Sequence, residues 1–171
     1  MKKKSLLFIA LLFLLSGCGQ KPSVDHPYEI NYRGKTLSYY DTEDEIDTDV
    51  FDILENKPTN LLDNEKNTIL VNEDGEIRCI SILDSDIITY KSISVGDNVS
   101  KIEKSFDNVF IGERSSSDAT NYMVVFNGDD IEEDPTNQNK EDSWIWIGYI
   151  TENSKIIMIR IYDVKYGYKM M

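Results

Sequence analysis

Two runs near the carboxy terminus, Ser143 to Thr151 and Lys155 to Asp163, constrain the fold more than any other part of the chain. Both are rich in isoleucine, the first carries both tryptophans and each has a tyrosine, and Glu152-Asn153-Ser154 between them reads as a tight turn, so the pair predicts a β-hairpin. Successive residues of a strand point to opposite faces of its sheet. In Trp144-Ile145-Trp146-Ile147-Gly148-Tyr149 and in Ile156-Ile157-Met158-Ile159-Arg160-Ile161-Tyr162, both alternation classes are apolar or amphipathic. One class has to face a core layer. The other sets Trp144, Trp146, Met158, Arg160 and Tyr162 on the second face, and these residue types are enriched at binding hot spots. Those five are the candidate partner-binding residues. The same pattern also fits a sheet covered on both sides.

Shorter signals fill in the rest. Tyr28–Tyr32 and Lys35–Tyr39 predict a hairpin around Arg33-Gly34, and Thr68–Asn72 with Glu76–Leu83 predicts another around Asp74-Gly75, whose turn needs positive φ. Thr42-Glu43-Asp44-Glu45 fits a helix capping box, followed by Ile46, Val50, Ile53 and Leu54 at helical spacing and by Asn56-Lys57-Pro58 as a stop. A second helix is expected near Asp97–Phe106, with Val99, Ile102 and Phe106 on its buried stripe. Ile87–Tyr90 and Asn121–Phe126 read as strands. Ile30-Asn31-Tyr32 and Ile88-Thr89-Tyr90 resemble each other, as do the stretches 71–77 and 150–156. The expected fold is therefore α+β, a tandem repeat of short helices packed on one face of an antiparallel sheet, with repeat 1 at about 28–86 and repeat 2 at about 87–171.

The amino terminus speaks of location. Three lysines, an unbroken apolar run from Leu6 to Leu15, and Ser16-Gly17 ahead of Cys18 have the layout of a secretory signal. Ten apolar residues make a helix of roughly 15 Å, about half the hydrocarbon thickness of a bilayer. Leu15-Ser16-Gly17-Cys18 resembles the lipobox of bacterial lipoproteins. That resemblance implies cleavage of a signal peptide at residues 1–17, a diacylglyceryl group on Cys18, and residence at the extracytoplasmic face of a membrane. Residues 18–27, small, polar and proline-bearing, read as a flexible tether that includes the single histidine, His26. The phrase Thr89-Tyr90-Lys91-Ser92-Ile93-Ser94-Val95-Gly96-Asp97-Asn98-Val99-Ser100-Lys101-Ile102 is similar to a segment of the β-lactamase-inhibitor-protein-like and SmpA-like lipoproteins. This second resemblance implies helices on an antiparallel sheet and a protein partner, and it carries no site residues with it.

Charge narrows the partners. The chain has 18 basic and 31 acidic residues, net −13, and loss of Lys2, Lys3 and Lys4 leaves 15 against 31, or −16. Such a surface repels nucleic-acid phosphates, so no nucleic acid is expected. The loop Asn127–Asp142 holds seven acids and one lysine, and Asp129, Asp130, Glu132, Glu133 and Asp134 could offer hard oxygen ligands to calcium. The loop lacks the ligand alternation and central glycine of an EF-hand. A solvated acidic loop is the preferred reading, and no cofactor is expected beyond the lipid. With His26 on the tether, Cys18 acylated and Cys79 in an apolar run, no nucleophile–base pair can be assembled, so no enzymatic activity is expected. The functional expectation is a non-catalytic protein-binding or envelope-structural module. The alternative is a cation- or small-solute-binding lipoprotein.

Overall fold

The computed structural model describes residues 24–55, 66–113, 119–127, 130–131 and 144–163. The expected terminal hairpin forms from β9 (Ile145–Glu152) and β10 (Lys155–Asp163), paired antiparallel from Lys155 opposite Glu152 to Asp163 opposite Ile145. Its turn residues Asn153 and Ser154 have φ of 50° and 62°. Positive φ at both central positions matches the right-handed twist of the flanking strands.

β10 lies inside the sheet, between β9 and β5 (Ile77–Ile82). Beyond β5 come β4 (Thr68–Val71) and β3 (Asp52–Glu55); beyond β9 come β7 (Thr120–Asn127), β6 (Phe110–Glu113) and, also against β7, β8 (Asp130–Ile131). All pairs are antiparallel except β3 with β4. A separate ribbon of β1 (Glu29–Tyr32) and β2 (Lys35–Ser38) turns at Arg33 and Gly34, φ 49° and 81°. Asn31 and Ile88 exchange backbone hydrogen bonds of 2.8 and 2.9 Å, which fixes the ribbon to the segment preceding helix α1 (Ser100–Ser105).

The main core lies between the first sheet face and this covering layer. Ile69, Ile80, Val124, Ile147, Tyr149, Ile159 and Ile161 point up from the sheet, and Ile30, Tyr39, Ile46, Ile93, Ile102 and Phe106 come down to meet them. The rings of Tyr90, Phe106, Phe126 and Tyr149 adjoin at centroid distances of 5.8 to 6.3 Å, in the range of favourable aromatic pairs. At the start of α1, Asn98 Oδ1 accepts from the Ser100 N–H at 3.0 Å, and Asp97 accepts from the Ser94 N–H and from Lys101 Nζ.

The architecture corrects the expected one. Half of the described residues are strand and 11% helix, with one α-helix among them, so this is not a tandem repeat of helices packed on a sheet. The first expected helix fails after one turn. Glu45 does accept from the Thr42 N–H at 3.2 Å, but the 3-10 turn Glu43–Glu45 ends at Ile46 and the chain then enters β3. Asp47, Thr48, Asp49 and Val50 are poor helix formers, and the Asp47 carboxylate closes a local turn by accepting from the Asp49 N–H at 3.2 Å. Ile53 and Leu54, assigned to one helical stripe, lie on opposite faces of the sheet. The stop at 56–58 lies outside the described residues.

Ser154 occupies a left-handed conformation that costs a residue with a Cβ roughly 1–2 kcal/mol. Ser154→Gly relieves it, at the expense of some unfolded-state entropy, and should stabilise the protein by about 0.5 kcal/mol, read as a higher urea midpoint with unchanged slope.

Candidate functional site

The hydrophobic pattern of β9 and β10 dictates a second sheet face, and the strand register assembles it in rows. Leu54, Leu70, Cys79, Tyr162, Trp146 and Val125 are successive cross-strand partners. One step along, the row is Thr68, Ser81, Arg160, Gly148, Met123 and Phe110. A third row holds Met158, Ile150, Asn121 and Gly112. The five residues picked from the sequence therefore come together on the face opposite the helix. Met158, Arg160 and Tyr162 share this face by plain alternation, and a β-bulge between Ile156 and Met158 puts Ile156 on the other face and leaves Ile157 exposed.

Four of the five are nevertheless covered. Trp144 and Trp146 are each 5% exposed, Met158 3% and Tyr162 8%, while Arg160 is half-buried. Among the described residues the Trp144–Trp146–Tyr162 cluster contains Leu70, Cys79 and Val125 and no helical residue. Of the two alternatives left open by the sequence, burial on both sides is the one realised at these four positions.

Gly148 shapes the centre of this face. The Tyr162 ring lies across it, so that a Cβ there would meet Tyr162 Cε1 at 3.7 Å, the Tyr162 hydroxyl at 3.8 Å and Asn121 Oδ1 at 3.4 Å. Tyr162 also packs against Trp146 with centroids 6.0 Å apart. Around this stack the polar atoms are sparse: Asn121 Oδ1 and the Trp144 indole N–H are buried and make no hydrogen bond among the described residues. The Cys79 thiol is 3.9 Å from Ser81 Oγ, and burial pushes its pKa up to about 11. A thiol so far from ionising is a packing group, not a nucleophile. The face suits apolar and aromatic contact, with one guanidinium for polarity.

A second constellation has no local sequence signal. Tyr39, Arg78 and Asp163 meet from the ribbon, β5 and β10: the Tyr39 hydroxyl donates to Asp163 Oδ2 at 2.9 Å and Arg78 approaches the same oxygen at 3.4 Å. Arg78 also pairs with Glu76. Burial, reinforced by the Asp163 charge, raises the Tyr39 pKa far above its ordinary value. These groups border a cleft of about 220 Å³, and a second, of about 360 Å³, lies beside the ribbon between Tyr32, Lys35, Asp47 and Phe51. Neither lining contains serine, cysteine or histidine.

Of the acidic-loop residues, Asp130 is exposed on β8, and Asp129, Glu132, Glu133 and Asp134 lie outside the described residues, as does Cys18. Among the described residues no group of three histidine, cysteine or acidic side chains converges as a metal site requires. His26 lies stacked on Tyr28 with centroids 5.1 Å apart and planes 7° apart. No family, curated protein or solved structure matches the chain.

Replacing Gly148 by valine forces Tyr162 and Asn121 aside and should cost roughly 1–3 kcal/mol, as overpacking does, measured by urea unfolding. Alkali supplies a second check. Burial raises Cys79, Tyr39, Tyr149 and Tyr162 above their ordinary values of 9.0 for the thiol and 10.0 for the phenols. Folding therefore favours the neutral forms: stability is intact below about pH 9 and falls as the pH rises and the unfolded chain ionises first. The urea midpoint should decline steadily above that pH, and phenolate absorbance from these three tyrosines should appear only with unfolding.

Proposed function

We propose that the protein is a membrane-anchored extracytoplasmic lipoprotein, acylated on Cys18 after loss of residues 1–17, whose folded part is a non-catalytic protein-binding or envelope-structural module. The observation that carries this reading is the Lys2–Cys18 stretch: three lysines, ten apolar residues, two small residues and a cysteine in that order. One acyl chain holds a protein only marginally, so two or three on a single sulfur and amino terminus would make attachment stable.

With Trp144, Trp146, Met158 and Tyr162 covered, the binding role draws its support from the half-buried Arg160 and from the partly buried Leu54, Phe110 and Met123 on the same sheet face. Absence of catalysis draws support from the two groups nearest to a nucleophile and base being otherwise engaged: Cys79 is buried at a pKa of about 11, and His26 is stacked on Tyr28.

Two measurements test the two halves separately. Cys18→Ser should release the protein from the membrane fraction and block processing after Gly17; undiminished attachment would overturn the anchor. A photo-reactive residue in place of Arg160 should give a discrete adduct with another protein on intact cells, whereas the same residue in place of Asp74, on the exposed β4–β5 turn, should give none. Equal labelling from both positions, or none from Arg160, rejects the second face as the partner surface.

A further inference from the structure

The chain joins its fold much closer to Cys18 than a tether running to Pro27 implies. Val24 is buried at 7% exposure and Pro27 is buried as well. The Glu29 N–H donates to the His26 carbonyl at 3.2 Å, and the Tyr39 N–H to the Tyr28 carbonyl at 2.8 Å. Five residues, 19–23, are left between Cys18 and Val24. Six Cα-to-Cα steps at no more than roughly 3.3–3.6 Å each span at most about 22 Å. A lipid on Cys18 would thus hold Val24 within about 22 Å of the acyl boundary, of which the headgroup zone itself fills roughly 5–7 Å.

What stands at that end of the fold is aromatic. Tyr28 packs on His26 and edge-on against Tyr40, centroids 5.0 Å apart, and Tyr40 meets Tyr39 at 5.7 Å. Tyr40 is 59% exposed, one of three large apolar side chains so exposed among the described residues. The other two, Ile111 and Ile157, lie on β6 and at the β10 bulge. Tyrosine joins an apolar ring to a polar tip and concentrates at membrane–water interfaces.

We propose that His26, Tyr28 and Tyr40 form a membrane-facing patch that rests on the headgroup region of zwitterionic phospholipid when the chain is anchored through Cys18. The proposal builds on the lipid-anchored reading above. The choice of lipid follows from charge: Asp25, Glu29 and Asp41 flank the patch on a chain whose anchored form has 15 basic and 31 acidic residues, net −16, so an anionic leaflet would repel it.

Hydroxyl-radical footprinting of the lipidated full-length chain on phosphatidylcholine vesicles, against the Cys18→Ser protein in solution, tests it. Tyr28 and Tyr40 should lose modification several-fold on the vesicles while Ile111 and Ile157 keep the rates they have in solution, and anionic lipid should weaken the protection. If the lipidated chain floats with the vesicles and Tyr40 is modified as in solution, the patch is wrong and the anchor stands. Equal protection of Ile111 also overturns it, since the membrane would then face no particular end of the fold. If the purified full-length chain does not float and carries no lipid, the anchored reading falls and takes the patch with it.

Discussion

The central position of β10 is the constraint on which the rest of the structure depends. It pairs with β5 on one side and β9 on the other, and it offers apolar side chains to both sheet faces. A sheet of this kind has to be covered twice, since apolar area left in water forgoes roughly 25 cal/mol per Å². The first cover is visible: the β1–β2 ribbon, α1 and the segments beside them bring side chains into the same core as Ile159 and Ile161. Among the described residues a single six-residue helix is too small to roof eight strands, and the ribbon and the segments around it supply most of the described layer.

The ribbon is consequently pinned from several directions. Asn31 and Ile88 hold it by backbone hydrogen bonds, and Tyr39 reaches over to the β10 terminus at Asp163, where Arg78 also arrives. The clamp links three segments that are remote in sequence, and its buried carboxylate is tolerable because it accepts from a phenol and a guanidinium together. Nothing in its geometry resembles an acid–base pair poised for chemistry. It reads as the fastener between cover and sheet.

How much of this was legible in the sequence depends on the range of the interaction. Hairpins announced by Arg33-Gly34, Asp74-Gly75 and Asn153-Ser154 formed where expected, because a tight turn is decided by a few adjacent dihedrals. The grouping of Trp144, Trp146, Met158, Arg160 and Tyr162 on one face also followed from simple alternation, since the bulge falls just before Met158. Their burial did not, because alternation says which side a residue faces and not what lies over it. The helix read into 42–55 failed for a different reason. A stripe at Ile46, Val50, Ile53 and Leu54 serves helix and strand alike, and only pairing of β3 with β4, a parallel contact with no local signal, decides between them. The Tyr39–Asp163 contact spans 124 positions and left no trace in any window of the chain.

The order of strands carries one more implication. β10 is the last described strand in the chain and yet one of the middle ones in the sheet, so β3–β4–β5 and β6–β7–β9 remain two separate pieces until it is in place. Joining them closes loops of some eighty residues, the kind of non-local contact that makes folding slow. A chain truncated before Lys155 would leave β5 and β9 each with an open hydrogen-bonding edge flanked by isoleucine, and open edges of that type recruit one another across molecules. In a protein arranged this way, arrival of the nine-residue β10 separates a folded molecule from the start of an aggregate.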